Sequence, residues 1–121
     1  MTSQDRPEQL VREYYRLVDA QDFDGLVEMF AEKAIYRRPG YEPLVGRTDL
    51  AGFYGGDRVI VKGRHSITEL IVHGNKVAVN GDFVGTLKDG LHAELRFADF
   101  FTVGPDGLFS SRETFFFAPM V

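Results

Sequence analysis

The sequence contains no cysteine and no tryptophan, and basic residues are not in excess. Without cysteine the chain can form neither a disulfide framework nor a thiol nucleophile. The net charge is −4 and no cluster of lysine and arginine occurs, so we expect no nucleic-acid partner, because phosphate binding needs a basic surface. The three histidines are scattered without the spacing of metal ligands, so we also expect no metal and no cofactor.

Long hydrophobic runs are absent as well. No stretch approaches the length that spans a bilayer, and the N-terminal MTSQDRPEQ is too polar to be a signal peptide. We therefore expect a soluble, cytoplasmic protein with no membrane partner. The 121 residues suffice for one domain, residues 1–121, and eleven Phe and five Tyr supply large rigid side chains for a core or a cavity wall.

The N-terminal half has the periodicity of amphipathic helices. Apolar residues recur between Pro7 and Val18, which predicts a first helix with Tyr14 on its buried stripe. Asp22 can cap a second, shorter helix whose inward positions extend to Phe30. These two helices are predicted to pack as a hairpin.

A short strand and a third helix are predicted next. Residues 34–37 have strand character, and the Pro and Gly residues of 39–43 form a loop that cannot continue it. Thr48 is predicted to cap the third helix, and Gly55 and Gly56 to end it.

The period changes from helical to alternating after Gly63. Strands are predicted at 64–73, 76–87, 91–103 and 109–117, separated by hairpin turns. Three helices followed by an antiparallel meander indicate an α+β domain in which a curved sheet wraps the helices and encloses a conical cavity.

Asp99 is the anomaly of the strand at 91–103. It lies between Phe97 and Phe101 on an otherwise apolar face. A carboxyl group in such surroundings either takes a cationic partner or takes up a proton, and a neutral acid can donate a hydrogen bond to a substrate oxygen. The remaining alternative is that Asp99 lies near a solvated end of the strand.

Several segments of the chain resemble one known superfamily. They are EYYRLVDAQDFDGLVEMFA at 13–31, the PG pair at 39–40, the FY pair at 53–54 and ADFF at 98–101. Together they are similar to the NTF2-like superfamily, and within it to ketosteroid isomerase and the SnoaL-like proteins. The resemblance implies a cone-shaped fold, but the superfamily includes isomerases, dehydratases, cyclases, hydrolases and non-catalytic scaffolds.

The resemblance to ketosteroid isomerase assigns roles to individual residues. It implies that Tyr14 and a protonated Asp99 bind an oxyanion and that Tyr54 supports Tyr14. The family's base is an Asp immediately before the Pro of the first strand, and this chain has Arg38 there. A guanidinium group stays protonated at any working pH, so Arg38 cannot abstract a proton. We therefore expect no efficient Δ5-3-ketosteroid isomerase activity.

His65 is the first candidate for the missing base, because its unperturbed pKa suits proton transfer and SnoaL-like proteins often have a His on this strand. Glu42 in a loop, Asp82 and Glu113 are the other candidates. Strand alternation places Asp82 outside the cavity. Arg112 and Glu113 are adjacent and therefore face opposite ways, and the sequence leaves open which of them faces inward.

The remaining candidates form a predicted substrate-binding set. Arg38 belongs to it because an inward guanidinium would favour an anionic or carbonyl-bearing ligand. The full set comprises Tyr54, Arg38, Phe53, Phe83, Phe97, Phe101, Arg112 and Phe116.

Two functions are compatible with these residues. The first is an enzyme that moves a proton on a hydrophobic, carbonyl-bearing small molecule, steroid-like or polyketide-like, with Tyr14, Asp99 and His65 as catalytic residues. The second is a ligand-binding or assembly module that kept the cavity and lost the base. Phe100 and the outward Phe residues of the last strand further predict a homodimer packed through the outer face of the sheet.

Overall fold

Helices pack against one face of a six-stranded sheet, which is the α+β arrangement expected for an NTF2-like cone. The computed structural model describes residues 5–57 and 60–117, without the side chains of residues 5 and 57. The first four and last four residues of the predicted domain lie outside this part of the chain.

The elements have the following bounds. The helices are α1 (Asp5–Asp19), α2 (Phe23–Glu28) and α3 (Gly46–Gly52), and α3 continues into a π-helical turn, Phe53–Asp57. The strands are β1 (Phe30–Arg37), β2 (Leu44–Val45), β3 (Ile60–His73), β4 (Lys76–Leu87), β5 (His92–Val103) and β6 (Phe109–Phe117).

The C-terminal half follows the sequence prediction closely, because its strands alternate and are separated by turn residues. Strands β4 and β6 have the predicted bounds, β5 begins one residue later, and β3 begins at Ile60 instead of residue 64. Gly74 and Gly90 adopt positive φ angles of 61° and 84° in the turns that follow β3 and β4. The four strands form the predicted meander.

Three details of the N-terminal half were predicted wrongly. Phe30 begins β1 instead of closing α2, because its backbone pairs with Phe109 of β6. Thr48 does not cap α3, which begins at Gly46, and the Asp49 carboxylate accepts a hydrogen bond from the Val45 N–H at 2.9 Å. The Gly pair at 55–56 does not end the helix but lies within the π-helical turn.

The sheet order is β2-β1-β6-β5-β4-β3, and β1 runs parallel to β6 while the other pairs are antiparallel. This parallel pair aligns Tyr36 with Arg112, and the next pair aligns Arg112 with Phe101 and Thr114 with Asp99. Residues from three neighbouring strands are thereby brought onto one concave face.

Helix α1 covers this concave face with the predicted apolar stripe. Val11, Tyr14 and Val18 are buried against it, and Tyr15 is buried beside them. Asp22 caps α2 as predicted, its side chain accepting from the Gly25 N–H. The described residues include no helix that is both long and apolar enough to cross a membrane.

Two glycines allow an aromatic ring to lie flat against the sheet. Gly63 and Gly85 are paired across β3 and β4. A Cβ atom on either would come within 2.2 Å or 2.4 Å of the Phe83 ring. Glycine at both positions therefore makes room for Phe83.

The outer face of the sheet carries exposed apolar side chains. Phe100, Phe115, Phe117 and Ile71 are each about half exposed or more, and the rings of Phe100 and Phe115 contact each other. Their outward position agrees with the alternation read from the sequence. The homodimer inferred from them stays a prediction.

Candidate functional site

A narrow cavity lies between the helices and the concave face of the sheet. Its free space is about 20 Å³, which is room for about one water molecule. A ring-sized ligand can enter only if side chains of the lining move, and Arg38 and Phe116 are only half-buried. The lining residues are Tyr14, Val18, Arg38, Tyr54, Ile60, His65, Phe83, Leu95, Phe97, Arg112, Thr114 and Phe116.

An ion pair between Arg112 and Asp99 forms the floor of the site. Asp99 is fully buried and the Arg112 side chain is 5% exposed. The guanidinium binds both carboxylate oxygens, with Nη2 to Oδ2 at 2.8 Å and Nε to Oδ1 at 3.2 Å. Burial is the largest single influence and lowers the pKa of Arg112, but the Asp99 carboxylate together with Tyr14, Tyr36 and Tyr54 outweighs it, and the pKa lies well above its ordinary value. Arg112 is therefore a permanent cation.

Two hydroxyl groups complete the environment of Asp99. Tyr15 donates to Oδ2 at 2.5 Å and Thr114 donates to Oδ1. Burial, and next the charge of Asp99, raise the pKa of Tyr15 well above its ordinary value, so this hydroxyl keeps its proton. Four donor atoms from three side chains thus meet one carboxylate.

This arrangement corrects the role implied for Asp99. A neutral acid that donates to a ligand was expected, but every contact of Asp99 named above is one in which its oxygens accept. Arg112 and Thr114 line the cavity and Asp99 does not. The physical reason is that Arg112 supplies the cationic partner, the first of the two alternatives that burial left to this carboxyl.

The hydroxyl groups of Tyr14 and Tyr54 meet above the Arg112 guanidinium. They hydrogen-bond each other, and Arg112 Nη1 donates to both, at 3.1 Å to Tyr54. Burial raises the pKa of Tyr14 well above its ordinary value, although Arg112 opposes this. The site thus presents the neutral phenol of Tyr14, hydrogen-bonded to the Tyr54 hydroxyl, next to a fixed cation, and this arrangement can stabilise negative charge that develops on a ligand oxygen.

His65 lies in the cavity wall with its ring held by Asp19. Its Nδ1 lies 2.6 Å from Asp19 Oδ1, and its backbone N–H donates to Asp19 Oδ2 at 2.9 Å. The ring packs between Tyr15, Phe83 and Phe97. A carboxylate at Nδ1 fixes the tautomer in which Nδ1 carries the hydrogen, so Nε2 has the lone pair that can take a proton.

The pKa of His65 is lowered from its ordinary value. Burial is the largest cause, and the hydrogen bond and charge of Asp19 oppose it. The imidazole is therefore neutral near pH 7, as a base must be.

Arg38 faces inward, which the sequence had left open. Its guanidinium lies 5.2 to 5.3 Å from the ring centroids of Tyr41, Phe53 and Phe116. Its Nη1 donates to the Tyr36 hydroxyl at 3.3 Å.

Most of the predicted substrate-binding side chains reach the cavity. Phe83, Phe97 and Phe116 line it as expected. Phe53 and Phe101 do not, because the structure places Phe53 behind Arg38 and Phe101 in the core against Tyr14 and Phe109.

The three alternative bases are exposed. Glu42 lies in the surface loop before α3, Asp82 points outward from β4 as alternation predicted, and Glu113 points outward from β6. Arg112 is consequently the inward member of the 112–113 pair. His73 and His92 are also exposed.

Sequence reasoning missed the partners that hold the site together. Asp19 is the last residue of α1, where a carboxylate opposes the helix dipole, and that unfavourable position was a signal of a specific partner. Tyr15 follows Tyr14 on the helix and falls on the same buried stripe. Tyr36 and Thr114 carried no signal beyond an inward strand position.

The described part of the chain gathers no metal site. Among residues 5–57 and 60–117, no group of three or more His, Asp or Glu side chains is placed to hold a metal ion. The acids and the histidine of the site are instead paired with each other or with arginine and hydroxyl donors.

Breaking the central ion pair should cost much of the stability. Asp99→Asn removes the charge and leaves Arg112 buried without a counter-ion, so the free energy of unfolding should fall by about 3–5 kcal/mol in urea titrations. Asp82→Asn, on the exposed face of β4, is the matched control and should change it by less than about 0.5 kcal/mol.

The double variant Asp99→Leu/Arg112→Met tests the same pair without an orphaned charge. It should be more stable than either single variant, since no charge is left unpaired in the interior. If the double variant lost as much free energy of unfolding as the two single variants together, the two side chains would not act as a pair.

The family model of the SnoaL-like domain matches residues 11–112. A search of the curated proteins found no match. Many solved structures have the same architecture, and those described below are less than 25% identical to this chain, so they show the fold alone.

Three of these structures illustrate the range of the fold. One is the epoxide hydrolase/cyclase-like enzyme SalBIII, which acts in pyran ring formation in the polyether salinomycin (24% identity, 97% of this chain and 95% of that one, TM-score 0.85). Another is an NTF2-like protein of unknown function from Burkholderia pseudomallei (22% identity, 97% of this chain and 92% of that one, TM-score 0.84). A third is an LEH-like epoxide hydrolase of M. tuberculosis (16% identity, 96% of this chain and 86% of that one, TM-score 0.83).

The family match covers most of the chain, and the fold agrees with it from α1 to β6. This chain belongs to the SnoaL-like domain family and has the NTF2-like fold.

Proposed function

We propose that this protein is a small-molecule enzyme that moves a proton at the carbon next to a carbonyl group of a substrate with a hydrophobic carbon skeleton. The observation that carries the proposal is His65, held by Asp19, in the wall of the cavity that Tyr14, Tyr54 and Arg112 also line. A neutral base and a cation-backed pair of hydroxyls around one cavity are the two elements that enolisation requires.

The reaction follows from these positions. His65 Nε2 takes the proton from the carbon beside the carbonyl, and the C–H electron pair forms the C=C bond of an enolate. The carbonyl π electrons move to oxygen. Because one hydroxyl of the Tyr14–Tyr54 pair gives its hydrogen to the other, the remaining hydroxyl hydrogen is donated to the developing charge, and Arg112, which donates to both hydroxyl oxygens, strengthens this donor. The protonated His65 then returns the proton to the same carbon or, in an unconjugated enone, to the far end of the enolate.

Asp19 acts through His65. It holds the Nδ1–H tautomer, so the lone pair is on Nε2, and it stabilises the imidazolium that forms. Asp99 acts through Arg112 in the same way, by fixing the guanidinium under the two tyrosines. Neither carboxylate needs to touch the substrate.

A second candidate is a binding module without turnover. The narrow free space of about 20 Å³ and the arginine at position 38 favour it. The SnoaL-like fold also includes cyclase and hydrolase relatives, and the same hydroxyl pair could bind the oxygen of an opening epoxide.

Exchange of carbon-bound hydrogen tests the enzyme proposal without knowledge of the natural substrate. The protein in D2O should accelerate loss of the α-hydrogen signals of cyclohexanone in proton NMR. His65→Gln should reduce that rate by about a hundredfold, the usual contribution of a general base. His92→Gln, on an exposed histidine, should leave it unchanged. If His65→Gln exchanged hydrogen as fast as the native protein, the base would be another residue. If the native protein bound phenol, a mimic of the enolate, but catalysed no exchange, the binding module would be favoured.

The pH profile of exchange tests the role of Asp19. The base must be deprotonated, so the rate should fall as the pH drops through the lowered pKa of His65, and the midpoint should lie below the ordinary 6.5. Asp19→Asn removes a hydrogen bond and a charge that raise this pKa, so its acid limb should move to still lower pH. If the acid limb of the Asp19→Asn profile moved to higher pH, the result would contradict the pairing of Asp19 with His65.

We also propose that a second copy of the chain covers the outer face of the sheet. Support comes from Phe100, Phe115, Phe117 and Ile71, which form an exposed apolar surface on one face of continuous strands. Sedimentation at micromolar concentration should give a dimer, and Phe100→Asp should give a monomer. Leu91→Asp, an exposed apolar residue in a turn, is the control and should leave the dimer intact. A monomeric native protein would rule the interface out.

A further inference from the structure

Arg38 is a charged side chain that lines the cavity without a carboxylate partner. Within residues 5–57 and 60–117, the ion pairs engage other cationic residues and none engages Arg38. Arg112, the other arginine of the lining, is neutralised by Asp99. A guanidinium group is always protonated, so Arg38 gives the cavity an uncompensated positive charge.

Aromatic rings hold this cation in place without neutralising it. The guanidinium carbon lies 5.3 Å from the Tyr41 ring, 5.2 Å from the Phe53 ring and 5.3 Å from the Phe116 ring. Rings at this distance stabilise a cation through their negative faces and still leave its N–H groups to bind an acceptor.

The hydrogen bonds of Arg38 are incomplete. Its Nε is buried and, in the described part of the chain, has no hydrogen-bond partner. A buried donor left in this state costs free energy, which a ligand acceptor would recover.

A chain of hydroxyl groups fixes Arg38 relative to the ion pair. The hydroxyl hydrogen of Thr114 is donated to Asp99, so at the 3.1 Å contact with Tyr36 the donor must be Tyr36. The Tyr36 oxygen then accepts from Arg38 Nη1 at 3.3 Å. Arg38 is thus held at a set position with respect to Arg112, to which the oxyanion site is attached.

We infer that the substrate carries a carboxylate group and that Arg38 binds it. This inference rests on the proposed function and names its substrate class: a small oxo-acid whose carboxylate meets Arg38 while its carbonyl oxygen meets the tyrosine hydroxyls. The guanidinium fork matches two carboxylate oxygens. Because the lining must move to admit any ring, a skeleton of one small ring requires less displacement than a steroid.

The charges of the other lining residues are compatible with an anionic ligand beside Arg38. His65 is neutral because burial lowers its pKa, and Asp19, which contacts His65 Nδ1, is not among the residues that line the cavity. Asp99 is satisfied by Arg112. A carboxylate beside Arg38 therefore meets no unpaired negative charge on the described lining.

Two ligands of equal shape test the inference by binding alone. 4-Oxocyclohexanecarboxylate and 4-oxocyclohexanecarboxamide differ in charge and little else. Titration followed by NMR should show the carboxylate binding at least about tenfold more tightly than the amide, the value of one good charged hydrogen bond. Equal affinities would overturn the inference.

Three variants identify the residue responsible. Arg38→Gln should lose at least about tenfold in carboxylate affinity and leave amide affinity unchanged. Arg38→Lys keeps the positive charge but not the guanidinium fork, so its carboxylate affinity should lie between those of the native protein and Arg38→Gln. Arg37→Gln removes the neighbouring, exposed arginine and should bind both ligands like the native protein. An equal loss in Arg37→Gln and Arg38→Gln would reduce the effect to net charge and contradict the assignment.

The exchange assay keeps this inference separate from the proposed function. His65→Gln should still bind the carboxylate more tightly than the amide, while hydrogen exchange of both ligands falls by about a hundredfold. Carboxylate-selective binding through Arg38 without exchange in the native protein would defeat the enzyme proposal and leave an oxo-acid binding site. Exchange of cyclohexanone with no preference for the carboxylate would keep the enzyme proposal and defeat the assignment of Arg38.

Discussion

The structure depends on one buried ion pair. Asp99 and Arg112 lie on neighbouring strands in the interior, where an unpaired charge would be prohibitive, and the guanidinium binds both carboxylate oxygens. Tyr15 adds a donor from α1, and Tyr14 and Tyr54 accept from the same guanidinium. Helix α1, the π-helical turn and two strands are therefore tied to one pair of charges. A site built this way is already oriented before a ligand arrives.

Because of this ion pair, the charged and titratable groups of the cavity wall have separate partners and separate proposed roles. Because Asp99 neutralises Arg112, the oxyanion end of the site carries polarised hydroxyls and little net charge. His65 is tied to Asp19 instead, which separates the base from the ion pair. Arg38 has neither kind of partner and gives the cavity its charge preference. Ketosteroid isomerase, which the sequence resembles, has a base at the position of Arg38, whereas we propose that Arg38 binds an anion there.

The fold was predictable from the sequence because its strands alternate cleanly and its turns contain glycine. Alternation also placed Asp82 outside the cavity, which the structure confirms. The partner of Asp99 was not predictable, since proton uptake and pairing with a cation are both responses to burial and only the register of β5 against β6 brings Arg112 to it. The contact of Asp19 with His65 joins residues 46 positions apart. No local pattern encodes such a contact.

The tautomer of His65 is the most direct test of the account. Nitrogen-15 NMR of histidine-labelled protein at pH 7.5, with the His65 signals assigned by their loss in His65→Gln, reports which ring nitrogen carries hydrogen. We expect a neutral ring with hydrogen on Nδ1 and a bare Nε2. A neutral ring with hydrogen on Nε2, or an imidazolium at this pH, would contradict the claim that Asp19 holds His65 as a base for the cavity.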